Sequence, residues 1–316
     1  MSRIQNKKTG VRYVLIDALQ EHRRIDNFLL NALKDLPKSR IYQMLRRGEI
    51  RVNGGRVKQG YRLETGDRVR IPPVLTRDRR EPAPPPDYLK EMVRGSILFE
   101  NHDIIALNKP AGIVVHGGSG RSFGVIEVLR SLRPSEQELQ LVHRLDRETS
   151  GCLLIARHGE ILRQLHSALR AGAIEKHYTA LLKGRMQHSA VEVGQPLRRN
   201  VARSGERWVA IDQRGKRALT RFEVEKEFRL ASLVRVRLLT GRTHQIRVHA
   251  RYLQHPVAGD LKYGDKDFNK VLRKSGLKRL FLHASMLRLP GLDGHRELEL
   301  KAPLSAELRE FLNNYA

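Results

Sequence analysis

The chain has 316 residues, and 60 lysines and arginines stand against 34 acids, for a formal net charge of +26. Its length favours one large domain plus a smaller one over a single core. The excess of positive charge predicts a polyanionic partner, with nucleic acid first. No run of about 20 apolar residues and no signal-peptide core are present. We therefore expect a cytoplasmic protein without a membrane partner.

The residues that could carry metal or cofactor chemistry are few. The single cysteine, Cys152, excludes an intrachain disulfide and a thiolate metal site, and it precedes the apolar LLIA. We expect a buried thiol on a strand rather than a nucleophile. His244 and His249 are five residues apart and so fall on different faces of a helix, and the glycines at 117–120 lack a phosphate-loop ending. The sequence predicts no metal site and no cofactor.

The first part of the chain predicts a small module of two helices and a hairpin. Apolar spacing predicts a helix from Arg24 to Lys34 and another from Lys38 to Arg47, with Gly48 as the C-cap. The segment IRVN, a turn at 53–54 and the segment RVK predict a hairpin, and Arg68–Ile71 predicts a further strand.

A proline-rich segment predicts the domain boundary. Six of the 13 prolines lie between Pro72 and Pro86, among charges that leave nothing to bury. We expect an extended linker at 75–90. It would separate an N-terminal extension at 1–21 and a module at 22–74 from a larger domain at 91–316.

The module is strongly basic. Between Lys38 and Arg70 ten basic residues stand against three acids, a net charge of +7 by subtraction. A phosphate-binding face is therefore expected, on residues that include Lys38, Arg40, Arg46, Arg47 and Arg51. Charge runs are often only solvated faces, which we accept for the linker run at 77–80. The order RIDNFL, PKSRIYQMLRRGEIRVNG and GDRVRI resembles the S4 domain over about 22–72. That resemblance implies docking on structured RNA, mainly through phosphate contacts.

The second domain is predicted to be of the α+β class with a mixed, mainly antiparallel sheet. Strands are expected at LFE, IIALNKP, IVVH, YTALL, RFEVEKEF and LVRVRLL. Helices are expected at Val125–Leu132, Ile161–Leu169, Thr243–Leu253 and Ser305–Asn313.

The candidate chemistry centres on HRLDRETSG, which places Asp146 between Arg144 and Arg147. A paired guanidinium would keep this carboxylate ionised and able to act as a nucleophile. An ordinary surface salt bridge is the competing interpretation, and from these residues alone it ranks first.

Two further segments leave alternatives open. In LTGRTHQIRVH a strand ends at Gly241 and Thr243 is expected to cap a helix, whose end could contact RNA or belong to a catalytic element. Tyr178 begins an apolar strand, where a tyrosine usually serves core packing.

Taken together, HRLDRETSG, LNKPAGIVVH, EKHYTALLKG, LTGRTHQIRVH and HPVAGDLKYG resemble the RluA family of pseudouridine synthases, from about Ile97 to the C-terminus. Within it, HGGSGRSFGVIEVLRSLRP and the S4-like module are most similar to the C-type large-subunit ribosomal RNA enzymes. The resemblance implies that uridines in large-subunit (23S) ribosomal RNA become pseudouridine, with either the free RNA or a pre-ribosomal particle as the partner. Other ribosomal RNA sites or tRNA are the alternative targets.

The resemblance also implies roles for individual residues. Asp146 is the nucleophile, Tyr178 lies against the uracil ring, and Arg247 is the ion-pair partner of Asp146. Arg144 enters the space that a flipped-out uridine leaves, because a base inside a helix is inaccessible.

Two other classes of protein remain. One is a catalytically silent RNA-binding protein of ribosome assembly. The other is a hydrolytic RNA glycosidase, which needs a second carboxylate as general acid; Glu148 is nearest in sequence. The absence of a heptad seam predicts a monomer.

Overall fold

The computed structural model describes residues 6–8, 10–17, 20–33, 36–77, 84–118, 123–136, 138–201, 207–291 and 297–315. The chain divides into two compact units, residues 1–83 and 84–316. None of the described helices is long and apolar enough to cross a membrane.

The first unit packs two short helices against a three-stranded antiparallel sheet. Its elements are β1 (Asn6–Lys8), β2 (Arg12–Leu15), α1 (Ile25–Ala32), α2 (Lys38–Arg47), β3 (Arg51–Val52), β4 (Arg68–Ile71) and β5 (Leu75–Arg77). The sheet order is β2-β4-β3, and β1 pairs with β5. Apolar residues of α1 and α2, such as Leu29 and Ile41, are fully buried in one core with Val69 of β4. Both predicted helices are confirmed, and Gly48 ends α2 in the left-handed conformation, with φ of 69°.

Three expectations for this region differ from the structure. The hairpin strand RVK is wrong: the turn closes through a Val52–Gly55 bridge, and β3 pairs with β4 instead. The expected extension at 1–21 contains β2, which pairs with β4 and so completes the sheet. The expected linker at 75–90 overlaps β5 and a helix that starts at Asp87. That helix forms because Val93 is fully buried against the second unit's core. Residues 78–83 lie outside the described residues.

The second unit consists of a large sheet with six described helices. The helices are α3 (Asp87–Arg94), α4 (Val125–Leu132), α5 (Gly159–Ala171), α6 (Gln245–Tyr252), α7 (Lys266–Lys274) and α8 (Ala306–Asn314). The strands are β6 (Ile97–Glu100), β7 (Ile104–Lys109), β8 (Gln140–Leu141), β9 (Ser150–Ala156), β10 (Glu175–Lys183), β11 (Ala190–Val193), β12 (Leu197–Val201), β13 (Arg207–Ile211), β14 (Thr220–Glu227), β15 (Ala231–Leu238), β16 (Leu282–Leu289) and β17 (Leu298–Lys301).

The main sheet has ten strands in the order β11-β14-β15-β10-β16-β9-β7-β6, with β17 beside β16 and β8 beside β9; a separate hairpin joins β12 and β13. Its described pairings are antiparallel apart from the parallel pair β16–β9, so the predicted α+β class with a mainly antiparallel sheet is confirmed. The expected strand IVVH is wrong. The carbonyls of Val114 and Val115 accept hydrogen bonds from the first amides of α4, so this backbone caps a helix.

The parallel pair brings two strands into unusually close contact at Gly151. Its φ is +109°, and a Cβ there would lie 2.2 Å from the carbonyl oxygen of Ala284 on β16. Gly276 has a similar φ of +100° but no atom within 4 Å of its Cβ position. A side chain added at Gly276 would therefore cause backbone strain alone, whereas one added at Gly151 would cause both strain and a steric clash.

We predict that Gly276→Ala costs about 1–2 kcal/mol of unfolding free energy, from strain alone. Gly151→Ala should cost about 2 kcal/mol more, because β9 and β16 must move apart. Equilibrium denaturation by guanidinium measures both. Equal losses for the two variants would show that the close approach of the strands contributes nothing.

Candidate active site

The loop at 142–149, between β8 and β9, is fixed from beneath by a buried lysine. Lys109, at the end of β7, is fully buried, and its Nζ donates to the carbonyls of Pro110 (2.8 Å), Ile113 (3.0 Å) and Arg147 (3.1 Å). Burial lowers the pKa of Lys109 to about 7. Three accepting carbonyls satisfy its hydrogen atoms, so the lysine holds the loop backbone without an ion pair.

The turn before α6 is organised by Gln245. Its Oε1 accepts hydrogen bonds from the Thr240 hydroxyl (2.8 Å) and the Arg242 backbone N–H (2.9 Å). Its Nε2 donates to the carbonyl of Leu219 (3.0 Å) and the hydroxyl of Thr220 (2.9 Å). This buried amide thereby joins the end of β15 to the start of β14.

The expectation that Thr243 caps α6 is wrong. The residue before the helix is His244, whose φ of 54° is left-handed. The reason is that the buried Gln245 side chain accepts hydrogen bonds from Thr240 and Arg242 and so fixes the backbone of this turn. His244 is left facing the loop that carries Asp146.

Arg247, on the first turn of α6, lies between two carboxylates. Its Nη1 is 3.5 Å from Oδ2 of Asp146. Its Nε and Nη2 donate to Asp260 at 2.7 and 2.8 Å, a bidentate pair. The His244 Nε2 atom is 3.8 Å from the same Asp146 oxygen. Asp146 thus faces a cationic side chain that is also hydrogen-bonded to a second acid, Asp260.

The Arg247–Asp260 pair is deeply buried, and each group stabilises the charge of the other. Burial would lower the pKa of Arg247, but the hydrogen bonds and charge of Asp260 outweigh burial and raise it. Burial would likewise raise the pKa of Asp260, but Arg247 outweighs it and lowers that pKa. Asp260 also accepts the backbone N–H groups of Lys262 (2.8 Å) and Tyr263 (2.9 Å). The pair is fully ionised at neutral pH.

Tyr178 lies on β10, next to β15 and β16 in the sheet, and it faces the same space as Asp146. Its side chain is 8% exposed, and burial raises the pKa of its phenol. The tyrosine therefore stays un-ionised at neutral pH.

Asp146, Tyr178 and Arg247 line one cavity of about 60 Å³. A groove of about 550 Å³ shares five lining residues with it: Arg144, Asp146, Tyr178, Leu238 and Arg242. The groove also carries Arg170 and Lys176. Its volume is typical of sites for small organic groups, about 300–1000 Å³. Asp146 is the one acid among the described residues that line these two spaces.

Arg144 and Arg147 flank Asp146 in the sequence, but neither is its ion-pair partner in the described structure. Arg147 donates to the Gly112 carbonyl (2.9 Å) and pairs with Glu148 at 3.2 Å. Arg144 is exposed at the groove. The expectation of a surface salt bridge between Asp146 and one of these two arginines is therefore wrong. The arginine that faces Asp146 is Arg247. Glu148 lines a different pocket from Asp146, one that also includes Arg279.

Cys152 is fully buried on β9, as predicted. Burial raises the pKa of its thiol to about 12. A thiolate is therefore scarce at neutral pH, in line with a structural role.

Among the described residues, one group has the composition of a metal site. The donor atoms of His102, Asp103 and His158 lie within 4.8 Å of one another, in a cavity that shares no lining residue with the Asp146 cavity. Both histidines already contact Asp103 Oδ1, at 3.0 and 3.1 Å. The sequence-based expectation of no metal site stays a prediction.

Most of the basic residues singled out in the first unit point to solvent. Four of them are exposed: Lys38, Arg46, Arg47 and Arg51. Arg40 is half-buried and pairs with Glu49 at 3.1 Å. Their contact with RNA stays a prediction.

Both units of the chain match known protein families. The family model for RNA pseudouridylate synthase matches residues 103–252, which contain Asp146, Tyr178 and Arg247, and the S4 domain model matches residues 23–69. The ribosomal large subunit pseudouridine synthase C of Salmonella typhi is 48% identical over 312 residues, covering 98% of both chains. The chain belongs to the RNA pseudouridylate synthase family.

Other relatives agree with this assignment. The pseudouridine synthase C of Haemophilus influenzae is 47% identical over 313 residues, covering 98% of this chain and 97% of its own. Among solved structures, human RNA pseudouridylate synthase domain containing 4 superposes with a TM-score of 0.61 at 27% identity, over 72% of this chain and 96% of its own. Human RNA pseudouridylate synthase domain containing 1 superposes with a TM-score of 0.56 at 30% identity, over 66% of this chain and 83% of its own.

The predicted resemblances to the RluA family and to the S4 domain are thus confirmed, and the chain is an enzyme of the pseudouridine synthase class. Sequence reasoning missed Asp260, which holds Arg247, and Tyr263, whose hydroxyl contacts His244 at 2.7 Å. Both lie in the quoted segment HPVAGDLKYG. The sequence shows only an acid in a turn bounded by Gly259 and Gly264, and this pattern does not indicate a contact with α6.

We predict that Asp260→Asn lowers the unfolding free energy by about 3 kcal/mol, because it leaves the buried Arg247 charge without its counter-ion. Asp212→Asn is the matched control, since among the described residues Asp212 forms ion pairs with Arg198 and Arg214, which are both more exposed than Arg247. That control should lose much less, because its ion pairs are exposed to solvent. Similar losses for both variants, measured by urea denaturation, would contradict the importance of the buried pair.

Proposed function

We propose that this enzyme converts uridines of large-subunit ribosomal RNA to pseudouridine, with Asp146 as nucleophile. The observation that carries the assignment of residues is the convergence of Asp146, Tyr178 and Arg247 on one cavity. The RNA target rests on relatives named as large-subunit ribosomal enzymes, at 47–48% identity over nearly the whole chain.

The reaction is a rearrangement within one nucleotide. The bond between C1′ and N1 of the uridine breaks while Asp146 stabilises or attacks C1′. The uracil turns, a bond forms between C1′ and C5 while any C1′–O bond made by Asp146 breaks and restores its carboxylate, the C5 hydrogen leaves as a proton, and N1 takes one up. Atoms and electrons balance without an external donor. Arg247 is the ion-pair partner of Asp146, at 3.5 Å, and Tyr178, un-ionised in its buried position, lies against the uracil ring.

The groove beside the cavity fits a polyanion. Arg144, Arg170, Lys176 and Arg242 line it. A neighbouring pocket of about 420 Å³ shares Arg242 and adds four basic residues: Arg198, Arg199, Arg214 and Lys216. Such a series of cations can follow an RNA backbone while a base enters the cavity. We infer that Arg144, which is exposed at the groove, fills the space that the uridine leaves.

The two competing classes of protein are disfavoured by specific observations. A hydrolytic glycosidase needs a second carboxylate near the first, whereas Asp146 is the one acid among the described lining residues, and Glu148 lines a different pocket. A silent RNA-binding protein does not need an acid, a tyrosine and an arginine to converge. The expectation of a cytoplasmic monomer stays a prediction.

The test is to incubate the enzyme with unmodified large-subunit ribosomal RNA, small-subunit ribosomal RNA and tRNA, and to map pseudouridine by carbodiimide labelling and primer extension. We expect enzyme-dependent stops in the large-subunit RNA alone. Asp146→Asn, which keeps size and shape, should give no stops while it binds the RNA with nearly unchanged affinity. Stops only in tRNA would overturn the target, and stops with Asp146→Asn would overturn the nucleophile.

We further propose that the S4 domain docks the enzyme through phosphate contacts of Lys38, Arg40, Arg46, Arg47 and Arg51. The double variant Arg46→Gln, Arg47→Gln should weaken binding to large-subunit RNA and lower the slope of log affinity against log salt by about 1–2. The variant Arg273→Gln, Arg309→Gln removes equal charge from exposed helix positions of the other unit. An equal effect of the control pair on binding and slope would contradict docking by the S4 domain.

A further inference from the structure

A chain of three groups connects the β12–β13 hairpin to the acid in the active site. The backbone N–H of Val209, on β13, donates to the hydroxyl oxygen of Tyr263 at 2.9 Å. That hydroxyl is 2.7 Å from Nδ1 of His244, and Nε2 of His244 is 3.8 Å from Oδ2 of Asp146. Nothing in the function proposed above gives His244 or Tyr263 a role.

The hydrogen bonds of this chain determine which nitrogen of His244 carries the hydrogen. The Tyr263 oxygen already accepts the Val209 N–H. The hydrogen bonds of the described residues give it one other partner, His244 Nδ1, so the phenol hydrogen is donated there. An Nδ1 that accepts a hydrogen bond carries no hydrogen itself. In the neutral ring the hydrogen is therefore on Nε2, the nitrogen that faces Asp146.

The neutral ring is also the form that its surroundings favour. His244 is partly buried beside Arg247, and burial, followed by the charge of Arg247, lowers its pKa despite the opposing charge of Asp146. A second proton would have to be placed on Nδ1, where it would displace the phenol hydrogen of Tyr263.

We propose that His244 is a positioning residue for Asp146, whose Nε2–H, fixed by Tyr263 and the Val209 backbone, directs a hydrogen at one oxygen of the carboxylate. The inference rests on the proposed role of Asp146. Arg247 and His244 both face Oδ2, at 3.5 and 3.8 Å. With Oδ2 held from two sides, Oδ1 is the oxygen presented to C1′. Hydrogen bonds in active sites are often long without substrate and shorten when it binds.

The backbone at His244 is consistent with this function. Its left-handed φ of 54° is a strained conformation for a residue with a side chain, and such strain collects at functional sites. In this backbone conformation the His244 ring faces Tyr263 and the loop that carries Asp146. The guanidinium carbon of Arg247 lies 5.0 Å from the centroid of the Tyr263 ring. Tyr263 therefore contacts both groups that face Oδ2 of Asp146, the His244 ring and the Arg247 guanidinium.

The experiment compares two substitutions that share the same backbone strain. Glutamine and methionine are both unbranched at Cβ and similar in length, but only glutamine offers an N–H near the position of His244 Nε2. We expect His244→Met to lower the single-turnover rate on large-subunit RNA about 10- to 100-fold, the value of a hydrogen bond to a charged group. His244→Gln should stay within about threefold of wild type. RNA affinity should not change in either variant.

A second variant tests the fixed tautomer. Tyr263→Phe keeps the ring beside Arg247 but removes the hydroxyl, so Nε2–H is no longer enforced. It should slow the wild-type enzyme and have no further effect in the His244→Met background, because the two residues act in series. Thermal melts of every variant separate slow catalysis from unfolding.

Each outcome has a definite meaning. Wild-type rates for His244→Met, equal losses for glutamine and methionine, or full additivity with Tyr263→Phe would each overturn the inference. Asp146→Asn is measured beside them. If it retains wild-type turnover, the proposed function itself fails; if it is inactive while His244→Met is unimpaired, only the positioning role fails.

Discussion

The structure of the site depends on one buried ion pair, the bidentate contact between Arg247 and Asp260. A guanidinium taken out of water needs a counter-charge, and Asp260 supplies it at 2.7 and 2.8 Å. Because Asp260 meets that need, Arg247 can face Asp146 at 3.5 Å without being neutralised by it. Asp146 is 21% exposed and not locked into a close salt bridge. Asp146 is paired with a cation yet stays open to the cavity, as a carboxylate that must react requires.

The fold brings these groups together from distant parts of the chain. The loop with Asp146 precedes β9, Tyr178 is on β10, and Arg247 is on α6 after β15, so strands in the centre of the sheet supply the site. Close contact at Gly151 joins β9 to β16, and the buried Lys109 fixes the loop backbone from below. The first unit has a core of its own and exposed basic residues. We propose that the second unit supplies the chemistry and that the first supplies positive charge for docking on RNA.

Much of the fold could be predicted from apolar spacing, and the exceptions have physical causes. Helices α2 and α4 have the predicted bounds because their apolar stripes face cores. The IVVH segment has the composition of a strand, but its carbonyls cap α4, a tertiary contact that spacing does not encode. Asp146, Tyr178 and Arg247 could be picked out by resemblance. Asp260 and the Tyr263–His244 contact could not, because they depend on how a turn at 257–264 packs against α6.

We propose that Asp146, held by Arg247, isomerises uridine without releasing the base. We would measure single-turnover tritium release from large-subunit ribosomal RNA labelled at uridine C5, together with free uracil. We expect one tritium released for each pseudouridine formed, no free uracil, and no release by Asp146→Asn. Free uracil in proportion to turnover, or tritium release by the asparagine variant at the wild-type rate, would contradict this mechanism.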